Sequence, residues 1–319
     1  MSGVFLAGDR AYKLKKPVRF PFLDFSTVAA READCQAEMR LNRRLAPDVY
    51  LGMVPLTSDA HRGFALDGGG EVVDWLVMMR RLPDERMLHN AILRGVATRE
   101  QVQRVAGLLA GFYRNLGPAE LSAEEYVSRF ARQHVNNRAL LEDRRLGLAG
   151  PRLNRVLTAI DAVLARDPEL LASRVREGRI VEGHGDLRPE HVCLNEPPVI
   201  IDCLEFNRAF RLVDPADELS ALGMECARLG ARWIGDMLIE RCVEVLDDHP
   251  SKRLIAFYTA YRACLRARLA LAHLLDSQIR EPEKWRPLAR AYLDLADRAC
   301  VSLRPPGEPR ENHPRGSTE

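Results

Sequence analysis

No run of about eighteen apolar residues occurs anywhere in the 319-residue sequence, so no segment is expected to span a bilayer. A charged start followed by an apolar stretch is also missing, and with it the pattern of a secretory leader; the chain reads as cytoplasmic. Paired cysteines are absent too. The seven cysteines, Cys35, Cys193, Cys203, Cys226, Cys242, Cys264 and Cys300, are odd in number and dispersed, and none stands in a Cys-x-x-Cys pair, which removes zinc-ribbon and dithiol redox chemistry. They read as reduced, mostly buried thiols. Excess charge is lacking: 47 basic against 45 acidic residues leave a formal charge of +2, which gives no electrostatic case for a nucleic-acid or membrane partner. Any anionic ligand must therefore be held locally. No repeat or sustained heptad is present, and no Gly-x-Ser-x-Gly elbow serves a nucleophilic serine. Gly68-Gly69-Gly70 has no helix after it to receive a phosphate, and Trp75, Tyr126, Trp233 and Trp285-type positions are too scattered for a base-stacking platform.

What is present is an ordinary folded composition, 46% hydrophobic and 29% charged, with the apolar residues gathered in strand-length and helix-length patches. The length exceeds one typical domain and also suits a single bilobal enzyme. Val4-Phe5-Leu6, the Gly8-Asp9 turn and the stretch Ala11 to Lys15 predict a hairpin whose second strand carries lysines. Ser26 is placed to cap a helix running to about Leu45 before Pro47. Strands are expected at Leu51 to Leu56, Arg62 to Leu66 and Val72 to Met79. From Thr98 the spacing turns helical, over Thr98 to Leu116, Ala123 to Leu146 and Leu153 to Arg166, and again over Ala216 to Val245, Ser251 to Leu275 and Pro287 to Leu303. Short β-prone runs between residues 180 and 202 interrupt the helices once. The last stretch, rich in Pro, Gly and charge, is expected to be disordered.

The chemistry-bearing residues cluster in that interruption. His184-Gly185-Asp186-Leu187-Arg188-Pro189-Glu190-His191 is followed by a short strand, the turn Asn195-Glu196-Pro197-Pro198, and Ile200-Ile201-Asp202. Phosphoryl transfer needs two carboxylates so arranged, one to orient and deprotonate a hydroxyl and one to hold a hard cation beside the phosphates. The same residues read as a metal-hydrolase cluster lack a second histidine-carboxylate set to complete a zinc site. The segment resembles the catalytic loop of the protein-kinase-like superfamily, and His-Gly-Asp resembles its aminoglycoside phosphotransferase and choline kinase branch. The resemblance implies a two-lobed α+β fold, with residues 1–80 a nucleotide-binding lobe of sheet and helix that starts inside the usual amino-terminal lobe or is covered by the Gly8-Asp9 turn alone. It further implies a helical lobe over 81–304 holding the catalytic loop, a hinge near Met79, and a disordered tail over 305–319.

Carried over residue by residue, the resemblance makes Asp186 the catalytic base and Asp202 a magnesium ligand. Glu205 becomes a supporting acid, and Asp217, in Arg211-Leu-Val-Asp-Pro-Ala-Asp-Glu-Leu, braces the His184 loop from the following helix. Lys13 or Lys15, held by Glu38, would meet the phosphates of ATP or GTP; both lysines point to one face of a strand, and the reading leans to Lys13. Adenine would meet the backbone around Met79. The chain departs from the family pattern at His191, which stands where asparagine is usual: imidazole is a softer ligand for Mg²⁺, and His191 is either a ligand or a hydrogen-bonding prop. Arg188 either meets the transferring phosphate or pairs with Glu190. The implied activity is phosphate transfer to a small hydroxylated acceptor, with no obligate protein partner. The competing readings are a nucleotide- or partner-binding module without transfer and, less well supported for want of an Ala-Pro-Glu motif, a protein kinase.

Overall fold

The computed structural model describes residues 2–20, 22–276 and 278–303; the expected disordered tail lies outside the described residues. The chain opens with β1 (Ser2–Ala7) and β2 (Arg10–Lys15), a hairpin turned at Gly8, whose φ of 59° suits glycine. A minor hairpin, β3 (Arg19–Phe20) and β4 (Leu23–Asp24), leads to helix α1 (Val28–Asn42). Then come β5 (Tyr50–Asp59), β6 (Gly63–Leu66) and β7 (Glu71–Arg80), and the order β1-β2-β7-β5-β6 makes one antiparallel five-stranded sheet. The cap of α1 is Thr27, whose hydroxyl accepts the Ala30 N–H at 3.1 Å. Ser26, the expected cap, is taken by Asp24, which accepts both its N–H and its hydroxyl.

One face of α1 packs on the sheet through Cys35 and Met39, with Ala11, Tyr50, Val77 and Met79 opposite. The same face buries Asp34, Glu38 and Asn42, so its inner surface is only partly apolar and carries chemistry as well as packing. Val199 and Ile201 pack against this small core.

After β7 the chain forms α2 (Leu88–Leu93), α3 (Arg99–Arg114), α4 (Ala123–Leu141), α5 (Pro151–Arg166) and α6 (Glu169–Arg176). Thr98 and Gln101 form a reciprocal capping box at the start of α3. The interruption follows as β8 (Val181–Glu182), β9 (Val192–Cys193), β10 (Val199–Ile200) and β11 (Leu212–Val213). β9 and β10 pair as a hairpin, while β8 pairs with β11. The remaining helices are α7 (Pro215–Arg228), α8 (Trp233–Leu246), α9 (Lys252–Ala272) and α10 (Pro282–Cys300). The fold class is α+β, as the sequence implied.

Two compact units result. The first takes in the chain to Tyr126 together with Ala172–Pro250, and the second takes in Val127–Leu171 and the chain from Ser251. In the first unit a second core, built from α2, α3, α7 and α8, receives Leu187, Val192, Leu194 and Ile200 from the catalytic segment. Arg174 is buried there and forks onto Asp214 and Asp248, with Nε 2.6 Å from Asp214 and Nη1 2.7 Å from Asp248. Asp214 also caps α7 by accepting the Ala216 N–H. In the second unit, α9 packs on α10 and α5. Phe130 lies among Phe257, Tyr258 and Tyr261, with centroids 4.7–6.0 Å away.

The expected helix from 216 to 245 is two helices, α7 and α8, separated at Gly230, where φ is 96°. They approach so closely that a Cβ on Gly223 would lie 2.8 Å from the Gly235 Cα. A Gly223→Val substitution is therefore expected to lower stability by about 1–3 kcal/mol through overpacking. Gly111→Ala, in α3 with open space around its Cβ position, should raise it by about 0.5–1 kcal/mol. Denaturant titration of both variants checks the contrast.

Candidate active site

Lys13 and Lys15 stand two residues apart on β2, so the strand period sends both side chains to the same face, beneath α1. Glu38, wholly buried on α1, divides its carboxylate between them: Oε1 lies 2.8 Å from Lys13 Nζ and Oε2 2.6 Å from Lys15 Nζ. Beyond Glu38 the two lysines part. Lys13 reaches Asp202 Oδ1 at 2.5 Å, whereas Lys15 meets Asp34 at 2.8 Å and the carboxylate of Glu205. Two lysines equivalent in the sequence thus differ in their surroundings. Lys13 faces the 43%-exposed side chain of Asp202, and Lys15 is sealed among Asp34, Glu38 and Glu205. Burial alone would lower the pKa of either ammonium, but the carboxylates around them outweigh it and raise both.

The loop that carries Asp186 is held by backbone hydrogen bonds. Gly185 has φ 88°, and a Cβ there would lie 3.1 Å from Arg211 Cγ and 3.2 Å from the Phe210 carbonyl oxygen, so both conformation and space require glycine. The bracing carboxylate is Glu218, which accepts the His184 N–H at 3.0 Å, the Gly185 N–H, and the Tyr113 hydroxyl at 2.8 Å. The sequence placed this brace on Asp217, and these two amides are accepted by its neighbour Glu218. Both acids are buried in the first turn of α7, but a step of one helical position rotates a side chain by about 100°, and it is Glu218 that is turned to these amides. Sequence reasoning missed Glu218, although the adjacent acids of Asp-Glu were in view.

His184 is fully buried. Its Nδ1 accepts the Asp186 N–H at 3.3 Å and its Nε2–H donates to the Ile201 carbonyl at 2.9 Å, so one neutral imidazole ties the loop to the segment before Asp202. Burial, with His191 nearby, pushes its pKa down to about 4.

Asp202 has φ 62°, an uncommon backbone state for a residue with a side chain. Its neighbours maintain it: the Asp202 N–H donates to the Tyr50 hydroxyl at 3.1 Å, and the Cys203 N–H to Asn42 Oδ1 at 2.8 Å. Arg44, two residues past the end of α1, donates to the carbonyls of Glu182 and Gly183 at 2.8 and 2.9 Å. Asn42, Arg44 and Tyr50 were not singled out in the sequence, because each acts on a segment more than a hundred residues away. The Asp202 carboxyl is held below its ordinary pKa; burial opposes this, and Lys13 and His191 overcome it.

His191 spans the two aspartates. Its Nδ1–H donates to the Asp186 carbonyl at 2.8 Å, and its Nε2 lies 3.4 Å from Asp202 Oδ2 and 3.5 Å from Arg188 Nη2. Arg188 stands beside them with Nε 3.7 Å from Asp186 Oδ2 and 3.9 Å from Glu190 Oε2, and that Nε makes no hydrogen bond. Met79 is 8% exposed, with its side chain committed to the core under α1. Among the described residues no group of three or more His, Cys, Asp or Glu side chains is arranged to hold a metal ion. Asp202 presents a single carboxylate here, and Mg²⁺ commonly takes one or two protein carboxylates and fills its shell with water and phosphate oxygens.

A family model described as the phosphotransferase enzyme family matches residues 9–254, well over half of the chain and the whole of the arrangement above. The chain belongs to that family. Uncharacterised proteins of Mycobacterium tuberculosis strain H37Rv and of Mycobacterium bovis are each 33% identical to this phosphotransferase-family chain over 269 residues, 83% of its length and 52% of theirs. The chain thus spans about half the length of these curated relatives. Among solved structures, Plasmodium vivax ethanolamine kinase is 11% identical, covering 94% of this chain and 84% of that one, with a TM-score of 0.47. An aminoglycoside-3'-phosphotransferase of type VIII is 20% identical, covering 81% and 91%, with a TM-score of 0.40.

The neutral, buried state of His184 has a consequence for this family member. Because its folded pKa is depressed from about 6.5 to about 4, the unfolded chain binds the extra proton first, so stability is complete above pH 6.5 and falls as pH drops toward 4. The loss should reach about 3 kcal/mol. Urea titrations at a series of pH values on wild type and His184→Asn check it, the variant showing the shallower slope over that window.

Proposed function

We propose that this protein transfers the terminal phosphate of ATP to a hydroxyl of a small molecule. The observation that carries the reading is Lys13, bridged between Glu38 and Asp202, with His191 linking Asp202 to the Asp186 loop. In this reading Lys13 releases Asp202 on nucleotide arrival and meets the phosphates, still anchored by Glu38. The adenine lies against backbone near the end of β7, since the Met79 side chain is used by the core. Mg²⁺, held by Asp202 and His191, supplies charge neutralisation on the phosphates. The Asp186 carboxylate orients the acceptor hydroxyl and takes its proton as the oxygen bonds to the terminal phosphorus. The bridging P–O bond breaks, and ADP leaves with that electron pair. In this reading the Arg188 guanidinium, whose Nε lies 3.7 Å from Asp186, meets a phosphoryl oxygen. Lys15, sealed among carboxylates, is left a positioning role. Positioning and electrostatics provide nearly all the rate gain in such chemistry.

Two details complete the proposal. Seven buried, unpaired thiols are compatible with a reducing, cytoplasmic setting, and no helix among the described residues is long and apolar enough to cross a membrane. His191 in the asparagine position favours a second reading, a nucleotide-binding module without transfer.

Nucleotide-dependent ADP release over a panel of alcohols, with Mg²⁺ or Mn²⁺ and with ATP or GTP, separates the two. Asp186→Asn is expected to lower turnover by about 10²–10⁴-fold while nucleotide binding persists. Lys13→Met should weaken nucleotide binding by about tenfold or more, the scale of a lost charge-assisted contact. Binding with no turnover under either metal would establish the module instead.

A further inference from the structure

Arg188 is a cation poised between two acids. A residue before proline is held to extended backbone, and Arg188, at φ −143° and ψ 158°, precedes Pro189 and opens the 3₁₀ turn Pro189–His191. Its Nε is 3.7 Å from Asp186 Oδ2 and 3.9 Å from Glu190 Oε2, too far from either for a hydrogen bond. Its Nη2 contacts His191 Nε2 at 3.5 Å. The side chains of Arg188 and Glu190 are 27% and 35% exposed, but Arg188 Nε and Glu190 Oε2 are themselves shielded from solvent and make no hydrogen bond. Opposite charges this close ordinarily join in a charge-assisted pair, because an unmet charge shielded from water is costly. Here two competing pulls keep them apart.

One pull is Asp186, on the far side of the guanidinium. The other acts on Glu190, whose second oxygen, Oε1, lies 3.1 Å from His89 Nδ1. His89 belongs to α2, which is fixed by burial of Leu88, Ala91 and Ile92. The chain entering α2 is also bound to the strand after His191: the Leu194 N–H donates to the Arg86 carbonyl at 2.8 Å, and Met87 pairs with Cys193. His89 and Glu190 are therefore carried on segments that cannot drift apart. Glu190 faces His89 with one oxygen and Arg188 with the other, and Arg188 in turn is divided between Glu190 and Asp186.

That division bears on the proposed chemistry. A guanidinium closed onto Asp186 would fork across the oxygens that must receive the acceptor proton. We propose that Glu190, anchored by His89, is a positioning residue that keeps Arg188 off Asp186, leaving the base free and the guanidinium available to the phosphoryl group. The inference rests on the phosphotransferase reading, in which Glu190 and His89 act only through Arg188.

Glu190→Gln keeps the shape and removes the charge. Two readouts test it, one of them independent of turnover. The first is the stability coupling between Asp186→Asn and Arg188→Met, from urea titrations of the single and double variants with and without Glu190→Gln. The coupling should rise by about fivefold in the folding equilibrium once Glu190 is neutralised, the upper end for a partly exposed ion pair. The second is ADP release with ATP, Mg²⁺ and whichever alcohol of the panel turns over fastest. Glu190→Gln should lower kcat by about fivefold, on the same scale, with the KM for ATP unchanged. Glu190→Asp, which keeps the charge, should recover part of the rate, and His89→Leu should lose part of it. In an Arg188→Met background Glu190→Gln should cost nothing further. An unchanged coupling overturns the proposal, as does an equal loss without Arg188. A raised KM for the alcohol at unchanged kcat also overturns it, since Glu190 would then contact the acceptor. Failure of the transfer reading is distinguishable: the coupling would still rise on Glu190→Gln while no alcohol gives ADP, and the role in catalysis would then fall.

Discussion

A single buried carboxylate, Glu38, holds two ammonium groups at once, and the site depends on that division. Taking one ion out of water costs several kcal/mol even after relaxation, and the cost is offset only when every charge finds a close partner. Lys15 satisfies this with three acids, and Lys13 with Glu38 on one side and Asp202 on the other. Helix α1 therefore cannot turn away from the sheet without taking Glu38 from both lysines and Asp34 from Lys15. β2, α1 and the chain from Asp202 to Glu205 behave as one electrostatic unit, although up to 190 positions of sequence separate its members.

Around that unit the irregular backbone of the catalytic segment is paired group by group. Loops buried between two cores must find partners for their amides and carbonyls, and here side chains from regular elements supply them. Glu218 serves His184 and Gly185, Asn42 serves Cys203, Tyr50 serves Asp202, and Arg44 serves the carbonyls before the loop. Two left-handed residues, Gly185 and Asp202, sit within this scaffold. Strain of this kind persists only where the surroundings over-determine it, and the density of hydrogen bonds around both residues meets that condition.

Much of this was legible in the sequence, and the misses share a cause. His-Gly-Asp and Ile-Ile-Asp carried the resemblance to phosphotransferases, and the order of lysine strand, acidic helix and catalytic loop agrees with the family match over residues 9–254. Strand and helix periodicity located most elements, but not the short α2 and α6, whose few residues give no full amphipathic repeat. The break between α7 and α8 was read through, because one glycine in an apolar run can equally be a tolerated helix interior. Glu218 was missed beside Asp217, because adjacent acids look alike until the rotation of the helix is known.

The sequence by itself determined the kinds of residue present, their order along the chain and, through the catalytic segment, the family to which the chain belongs. Only the tertiary structure decided which of two equivalent lysines faces Asp202 and that Glu218 accepts the amides of the loop. The physical reason lies in the range of the forces involved. Periodicity is a local property and places a side chain on a face, whereas ion pairing and cavity shape depend on distances of a few ångströms between residues that only packing brings together.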